Sequence, residues 1–392
     1  MAWKTLNTVT GPVAEGKKYF RREYYEEKLW TEIKKGNHIL LLAPRRLGKS
    51  SIVKYMEKNP HKYYVCVYAN IQSDKSINEF YKRMCSMITV GLSRTNKAKQ
   101  LLKGCKKKWE ITSVSFEGIE LGSKNVDFRV MFFEMLEDVM QLEEKVVLFL
   151  DEFPDVVSKI AEHHSHKEAE NLLDDIRRLR HEKKFKKTFI LILLGSVGLN
   201  HIVKKITGRS DKVNDLHRLY LEPLNPTELQ GFLDHLTDGA SMNLSKEVIE
   251  HIESKIVHLI PFYLQILIEA CDDILQKVNR TELSNADVDL AYSNLIKQQD
   301  NFKDWDERLN EYFPDKYKYL ENILTKCAHQ NEITIQQIYD LSVPLGMEDS
   351  YKADLDDILI ADGYLSEGED GFYFNSPLLR DWWKKRHPLI NK

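Results

Sequence analysis

The chain has 392 residues, with 57 basic and 60 acidic side chains and a formal net charge of -3. This near-neutral balance excludes a protein that coats nucleic acid or anionic membranes through its overall charge. A hydrophobic content of 42% and a charged content of 30% are typical of a folded protein, and the length predicts two or three domains.

The first half of the chain alternates short apolar runs with longer amphipathic stretches, which is the pattern of parallel strands joined by crossover helices. Candidate strands cover residues 38–43, 63–69, 145–150, 188–194 and 219–221. Their continuous apolar character suits a sheet that is covered on both faces. The sequence therefore predicts an α/β domain over residues 1–224.

Helical signals replace the strand pattern in the second half. Asn225 is a good N-cap, with a proline at the first helical position and a glutamate at the third, and a similar signal follows Ser284. We expect residues 225–300 to form a helical lid domain. Over residues 301–392, a capping box at Thr334, a further helix and two short strands around an acidic turn outline a winged-helix-like domain.

Residues 43–50, which we call the phosphate loop, read A-P-R-R-L-G-K-S and lie between a predicted strand and an amphipathic helix. In such a loop the backbone N–H groups and the helix N-terminus face an anion. Gly48 lets the main chain approach phosphates, Lys49 reaches the β- and γ-oxygens, and the Ser50 hydroxyl can ligate Mg²⁺. Ala43 stands where the usual motif has its first glycine. The predicted nucleotide-binding residues of this segment are Pro44, Arg45, Arg46, Leu47, Gly48, Lys49, Ser50 and Ser51.

A second apolar strand ends in two acids, Asp151 and Glu152. We expect Asp151 to support Mg²⁺ together with Ser50, and Glu152 to polarise an attacking water. The spacing between Lys49 and Asp151 leaves room for an intervening strand, and residues 63–69 are predicted to be that strand. An additional strand between the loop strand and the acid strand is typical of ATPases with a catalytic glutamate. The two elements predict nucleotide binding, and Glu152 next to Asp151 favours water as the acceptor.

For the other catalytic candidates, the sequence allows both a catalytic and a non-catalytic interpretation. Ser196 follows the strand at 188–194 and is either a sensor of the γ-phosphate or an ordinary serine in a turn. For the charge of the transition state the candidates are Arg209 and a cluster of three arginines, which are otherwise surface residues. The cluster is Arg177, Arg178 and Arg180. A finger acting in trans would need a homo-oligomer, so that state stays open.

Taken together, these motifs resemble the archaeal-type ATPases, a family with bacterial members in the AAA+/STAND division of P-loop proteins. Beyond the loop and acid motifs, the resemblance rests on Tyr19-Phe20-Arg21-Arg22-Glu23, G-S-V-G-L at 195–199, V-N-D-L at 213–216, I-P-F-Y-L at 260–264 and F-N-S-P-L-L-R-D-W-W at 374–383. It implies an ATP- and Mg²⁺-binding AAA+ core. It also implies a helical lid whose Pro261 region closes over the nucleotide, and a C-terminal winged helix.

Two functions follow from these expectations. The first is an ATPase that switches a protein partner or effector, and the alternative is an ATP-dependent DNA-binding protein that uses the winged helix. Acids dominate the expected recognition-helix region, and their charge repels phosphate and favours a protein partner. They are Glu348, Asp349, Asp354, Asp356 and Asp357, against Lys352. A small-molecule phosphotransferase is a third reading, but the sequence shows no acceptor pocket.

The expected location is the cytoplasm, without membrane contact. No apolar run in the sequence is long enough to span a bilayer. The five cysteines are odd in number and contain no C-x-x-C pair, which predicts reduced thiols.

Overall fold

The computed structural model describes residues 3–93, 108–114, 119–121, 126–140, 142–186, 189–195, 199–208, 211–298 and 300–389. Its backbone contacts divide the chain into two units. The sheet unit comprises the described residues of Arg21–Ala43 and Lys49–Leu221. The helical unit comprises those of Met1–Phe20, Pro44–Gly48 and Glu222–Lys392.

The sheet unit is an α/β layer structure. Its described strands are β1 (Ile39–Leu42), β2 (Tyr64–Asn70), β3 (Ile111–Val114), β4 (Ile119–Leu121), β5 (Lys145–Asp151), β6 (Phe189–Gly195) and β7 (His217–Tyr220). Its described helices are α1 (Glu23–Lys35), α2 (Lys49–Lys58), α3 (Ile77–Ser93), α4 (Phe128–Val139), α5 (Phe153–His163), α6 (His166–His181), α7 (Lys183–Lys186) and α8 (Leu199–Thr207), with a 3₁₀ turn at Asp211–Val213.

Five strands form a parallel sheet in the order β2-β5-β6-β1-β7, and β3 and β4 form a separate antiparallel pair. Every residue of the central strand β6 is buried, whereas in β7, at one end of the order, Leu219 alone is buried. The predicted fold class, a parallel α/β sheet of the P-loop type, is confirmed.

One strand assignment within that fold is wrong. We predicted residues 63–69 to lie between the loop strand and the acid strand, but β2 lies at the far end of the sheet and pairs with β5. The strand between β1 and β5 is β6. Order along the chain does not fix the position of a parallel strand, because a crossover helix can carry the chain past a vacant position that a later strand fills.

Three helices of the helical unit begin at the predicted caps, Asn225, Ser284 and Thr334. Its described helices are α9 (Pro226–Thr237), α10 (Lys246–Ile256), α11 (Pro261–Val278), α12 (Asn285–Lys297), α13 (Asp300–Tyr312), α14 (Tyr317–Gln330), α15 (Ile335–Ser342), α16 (Tyr351–Asp354) and α17 (Pro377–Arg386). A π-helical turn covers Leu355–Ile360, and 3₁₀ turns cover Gly16–Lys18 and Val343–Leu345. Asn225, Ser284 and Thr334 each form a capping box, so both orphan donors of each box are satisfied.

The C-terminal part of this unit packs around two adjacent tryptophans. An antiparallel pair of strands, β8 (Leu365–Glu367) and β9 (Phe372–Phe374), precedes α17. Trp382 and Trp383 are both buried and have different neighbours: Trp382 lies 5.9 Å from the ring of Phe302, and the Trp383 indole donates to Thr325 Oγ1 at 3.2 Å. Adjacent helical positions point in different directions, so α17 is held from two sides.

The segment before α1 belongs in part to the helical unit. The backbone N–H of Asn7 donates to the carbonyl oxygen of Leu236 at 2.8 Å, and that of Val9 donates to Gln265 Oε1 at 2.7 Å. Trp3 donates to the Asp272 carboxylate on α11. Across the described ranges of both units, no helix combines the length and apolar character that crossing a bilayer requires.

Candidate nucleotide site

Lys49 and Ser50 open helix α2, directly after the loop that leaves β1. The Lys49 side chain is buried, and its ammonium donates to the carbonyl oxygen of Ala43 at 2.7 Å. The first turn of α2 contains no acidic residue. A buried ammonium beside the positive end of a helix dipole makes this point of the sheet unit attractive to an anion.

Asp151 is the last residue of β5 and lies within hydrogen-bond distance of Ser50. The Ser50 hydroxyl donates to Asp151 Oδ2 at 2.5 Å, and the backbone N–H of Glu152 donates to Oδ1 at 3.1 Å. Asp151 is 4% exposed. A carboxylate and a hydroxyl are hard oxygen ligands of the kind that Mg²⁺ takes in phosphate-binding sites. The chemistry of these two side chains therefore fits a magnesium ion that Ser50 and Asp151 would hold.

Tyr68 also contacts Asp151, and it is not among the residues predicted from the sequence. Its hydroxyl donates to Asp151 Oδ2 at 2.8 Å, and the Lys54 ammonium of α2 lies 4.6 Å from the centre of its ring. Burial and the charge of Asp151 raise the pKa of Tyr68 above its ordinary value. Asn70 pairs with Asp151, and Tyr68 shares a sheet face with position 70. Knowledge of how β2 pairs with β5 would therefore have identified Tyr68 as a neighbour of Asp151.

Glu152 follows β5 and takes the left-handed conformation, with φ 60° and ψ 37°, before α5 begins at Phe153. A non-glycine residue in this region is uncommon, and such residues gather at functional sites. Gly195, the last residue of β6, lies against Pro154 of α5, and a Cβ at position 195 would lie 2.5 Å from Pro154 Cγ. The ends of β5 and β6 can therefore approach closely without a side chain between them.

The central part of the phosphate loop, Pro44–Gly48, has its contacts in the helical unit. The guanidinium of Arg46 lies 4.3 Å from the centre of the Phe262 ring and 3.3 Å from Asp304 Oδ2. Burial and the neighbouring charge of Arg45 lower the pKa of Arg46. Pro261, the predicted lid residue, is the first residue of α11 and precedes Phe262.

Two residues of this loop have positive φ, Arg46 at 72° and Gly48 at 90°. Ala43 is not among the described residues with positive φ, so an alanine fits the position where the usual motif has glycine. Leu47 is buried. Ser51 lies in the first turn of α2.

Ser196 and Arg209 lie outside the described residues. Of the arginine cluster, Arg180 is 4% exposed and makes two hydrogen bonds to Asp215, at 2.7 and 2.8 Å. Arg178 pairs with Glu182 on the surface. Arg180 is therefore engaged inside the sheet unit.

No protein-family model and no curated protein matches the chain. The structure is similar to that of a Walker-type ATPase of Pyrococcus abyssi, with a TM-score of 0.66, 17% identity, and coverage of 95% of this chain and 98% of that one. It is also similar to the ORC2 protein of Aeropyrum pernix, with a TM-score of 0.51, 12% identity, and coverage of 93% of each chain. At these identities the similarity shows the fold.

Proposed function

We propose that this chain binds ATP with Mg²⁺ and hydrolyses it to ADP and phosphate. The observation that carries the proposal is the 2.5 Å hydrogen bond between Ser50 and Asp151, because it brings the start of the loop helix and the end of the acid strand together. A hydroxyl and a carboxylate in these positions are the two protein ligands of Mg²⁺ in P-loop hydrolases.

In this proposal each residue of the site has its own role in binding or hydrolysis. The Lys49 ammonium neutralises phosphate charge, and the backbone N–H groups of residues 44–51 hold the phosphate oxygens. Mg²⁺, when bound, supplies positive charge to the transferring phosphoryl group. Glu152 orients the attacking water and accepts its proton. Ser196 and Arg209 remain the candidates for sensing and stabilising the γ-phosphate.

Phosphate release from ATP tests this function. We expect the wild-type protein to release phosphate in Mg²⁺ and to lose this activity in EDTA. The Glu152→Gln variant should bind ATP with wild-type affinity and lose turnover, because an amide cannot accept the proton while Asp151 still serves the metal. Wild-type turnover in this variant would remove Glu152 from the mechanism.

We further propose that the nucleotide switches a contact with a protein partner. The supporting observation is a stripe of exposed apolar side chains four residues apart, Ile335, Tyr339 and Val343, which are 40%, 39% and 50% exposed. Exposed acids lie near it in sequence, and the Lys352 ammonium is paired with Asp356 at 2.9 Å. An exposed apolar stripe, with exposed acids close to it in the sequence, fits a protein partner that carries apolar and basic side chains.

The alternative, a DNA-binding role for residues 301–392, is tested by fluorescence anisotropy with a pool of random duplexes. Because acids dominate the region around Lys352, which is itself paired with Asp356, we expect weak binding at physiological salt with little sequence preference. Any salt dependence should be steep, because it would arise from the lysine runs of the chain. Nanomolar, sequence-selective binding would favour the DNA-binding function over the protein switch.

A further inference from the structure

We infer that Tyr68 is a positioning residue for the proposed magnesium site, where its hydroxyl holds the Asp151 carboxylate in the orientation that the metal needs. The inference rests on the proposed function and adds a residue of β2 to it. It concerns side chains of the sheet unit alone.

The geometry fixes both oxygens of the carboxylate. Oδ2 accepts from the Ser50 hydroxyl at 2.5 Å and from the Tyr68 hydroxyl at 2.8 Å, and Oδ1 accepts from the backbone N–H of Glu152 at 3.1 Å. These donors come from α2, from β2 and from the residue after β5. Rotation of the carboxylate would break all three bonds, so the group is held in one orientation.

Tyr68 and Ser50 do not have equivalent roles in this arrangement. The Ser50 hydroxyl is itself a proposed metal ligand, so its lone pairs and proton are shared between the metal and Asp151. The Tyr68 hydroxyl donates to Asp151 and has no proposed metal contact. Carboxylates that bind metals are themselves held by hydrogen bonds from a surrounding layer of residues, and Tyr68 fits that layer.

The surroundings make the bond costly to lose. Tyr68 is 8% exposed and Asp151 is 4% exposed, so water has poor access to replace the phenol. A hydrogen bond to a charged group is stronger than one between neutral groups, and loss of the phenol leaves Oδ2 with the Ser50 hydroxyl, which the proposed metal also uses. We therefore expect the effect of losing the hydroxyl to reach the metal affinity.

The tyrosine ring is also held from the side of the loop helix. The Lys54 ammonium lies 4.6 Å from its centre, on the same helix as Lys49 and Ser50. A shift of α2 would therefore move the Lys54 ammonium relative to the Tyr68 ring, and the Tyr68 hydroxyl holds Asp151. Tyr68 thus connects the helix that follows the phosphate loop to the acid at the end of β5.

The test compares full-length wild-type protein with Tyr68→Phe, which removes the hydroxyl and keeps the ring. Mn²⁺ serves as the probe, and its binding in the presence of ADP is measured by electron paramagnetic resonance. We expect the Mn²⁺ dissociation constant to rise by about tenfold, the equivalent of one such hydrogen bond. Binding of a fluorescent ADP in EDTA should stay at the wild-type value, because the nucleotide contacts of the loop are unchanged.

The matched control is Tyr64→Phe, the same substitution on the same strand, and it should leave both affinities at wild-type values. Tyr68→Phe keeps the ring, and Asp151 keeps its bonds from Ser50 and from the backbone N–H of Glu152. Circular dichroism and thermal unfolding establish that both variants are folded before they are titrated.

The outcomes separate this inference from the proposed function. If the wild-type protein binds neither Mg²⁺–ATP nor Mn²⁺ with ADP, the proposed function is wrong. If the wild-type protein binds both and Tyr68→Phe binds Mn²⁺ with wild-type affinity, the function stands and the role of Tyr68 is wrong. Equal loss of Mn²⁺ affinity in Tyr68→Phe and Tyr64→Phe would also contradict a specific role for Tyr68.

Discussion

At the scale of single residues, three of the positions assigned to nucleotide chemistry have positive φ angles. Arg46, Gly48 and Glu152 have φ of 72°, 90° and 60°. Glycine adopts this region readily, whereas other residues do so at a cost of about 1–2 kcal/mol. The sequence predicted the glycine from its motif, but nothing local to Arg46 or Glu152 predicts a left-handed backbone.

Gly48→Ala tests this point. A Cβ at Gly48 would have no atom within 4 Å, so any destabilisation comes from the backbone conformation and not from a clash. We expect a cost of about 1–2 kcal/mol. It should appear as a lower thermal unfolding temperature together with weaker ATP binding.

The matched control is Gly239→Ala, at φ 71° and equally free of neighbours. It should lower the unfolding temperature to a similar extent and leave ATP binding unchanged. Unchanged ATP binding in Gly48→Ala would mean that the loop does not use this conformation to hold phosphates.

At the scale of elements, the sequence predicted what depends on short patterns. The capping boxes at Asn225, Ser284 and Thr334 lie where the motifs indicated, since three or four neighbouring residues are enough to form them. The apolar strands of the sheet were found for the same reason. The short pair β3 and β4 was not predicted, because polar residues interrupt both segments, I-T-S-V and I-E-L, and neither forms an apolar run.

What the sequence did not predict depends on long-range pairing. The position of β6 between β1 and β5 is set by which strands pair, and residues far apart in the chain decide that. The contact of Tyr68 with Asp151 follows from the register of β2 on β5 and was missed for the same reason. Motif residues of the candidate site were accessible from sequence, whereas the residue that orients one of them was not.

The ion pair of Arg180 and Asp215 links α6 to the segment before β7. Arg180→Ala should destabilise the sheet unit by about 3 kcal/mol, since it leaves a half-buried carboxylate without its partner. ATP turnover per folded molecule should not change if Arg180 has a structural role. Arg178→Ala, which removes an exposed pair with Glu182, is the control and should cost less than about 1 kcal/mol.

The same pair predicts a pH dependence. Burial opposes ionisation of Asp215, but the hydrogen bonds from Arg180 outweigh it and place the pKa of Asp215 below its ordinary value. A carboxyl pKa that is lower in the folded state stabilises the fold at pH values above the pKa of the unfolded state, about 3.9. This contribution is lost as the pH falls through the pKa of the folded state. The difference in unfolding temperature between wild type and Arg180→Ala should therefore narrow below about pH 4. A constant difference from pH 7 to pH 3 would contradict this account.

At the scale of the molecule, the helical unit joins the predicted lid helices to the C-terminal elements. The Tyr292 hydroxyl on α12 donates to Asp381 on α17 at 2.8 Å, and Trp382 packs on Phe302. The rings of Trp305 and Tyr364 lie 4.9 Å apart, and the Tyr364 hydroxyl donates to the carbonyl oxygen of Trp305. The proposed switch requires that a partner bound to the C-terminal elements affects the lid, and these contacts offer a route.

Deletion of Tyr317–Lys392 tests this connection. The deletion exposes Phe302 and Trp305, which are now buried, so we expect changed ATP turnover or self-association in analytical ultracentrifugation. Tyr292→Phe, which loses one hydrogen bond to α17, should change turnover in the same direction and by less. Unaltered turnover and sedimentation in the deleted protein would separate the C-terminal elements from the ATPase.

The central claim is that the phosphate loop binds Mg²⁺–ATP, and calorimetric titration of Lys49→Ala beside the wild type tests it most directly. Lys58→Ala, at the exposed end of the same helix, is the control. The account predicts that the wild type and the control bind Mg²⁺–ATP with equal affinity. Lys49→Ala should bind at least about a hundredfold more weakly, because the loop loses the cation that neutralises the β- and γ-phosphates. Wild-type affinity in Lys49→Ala would contradict it.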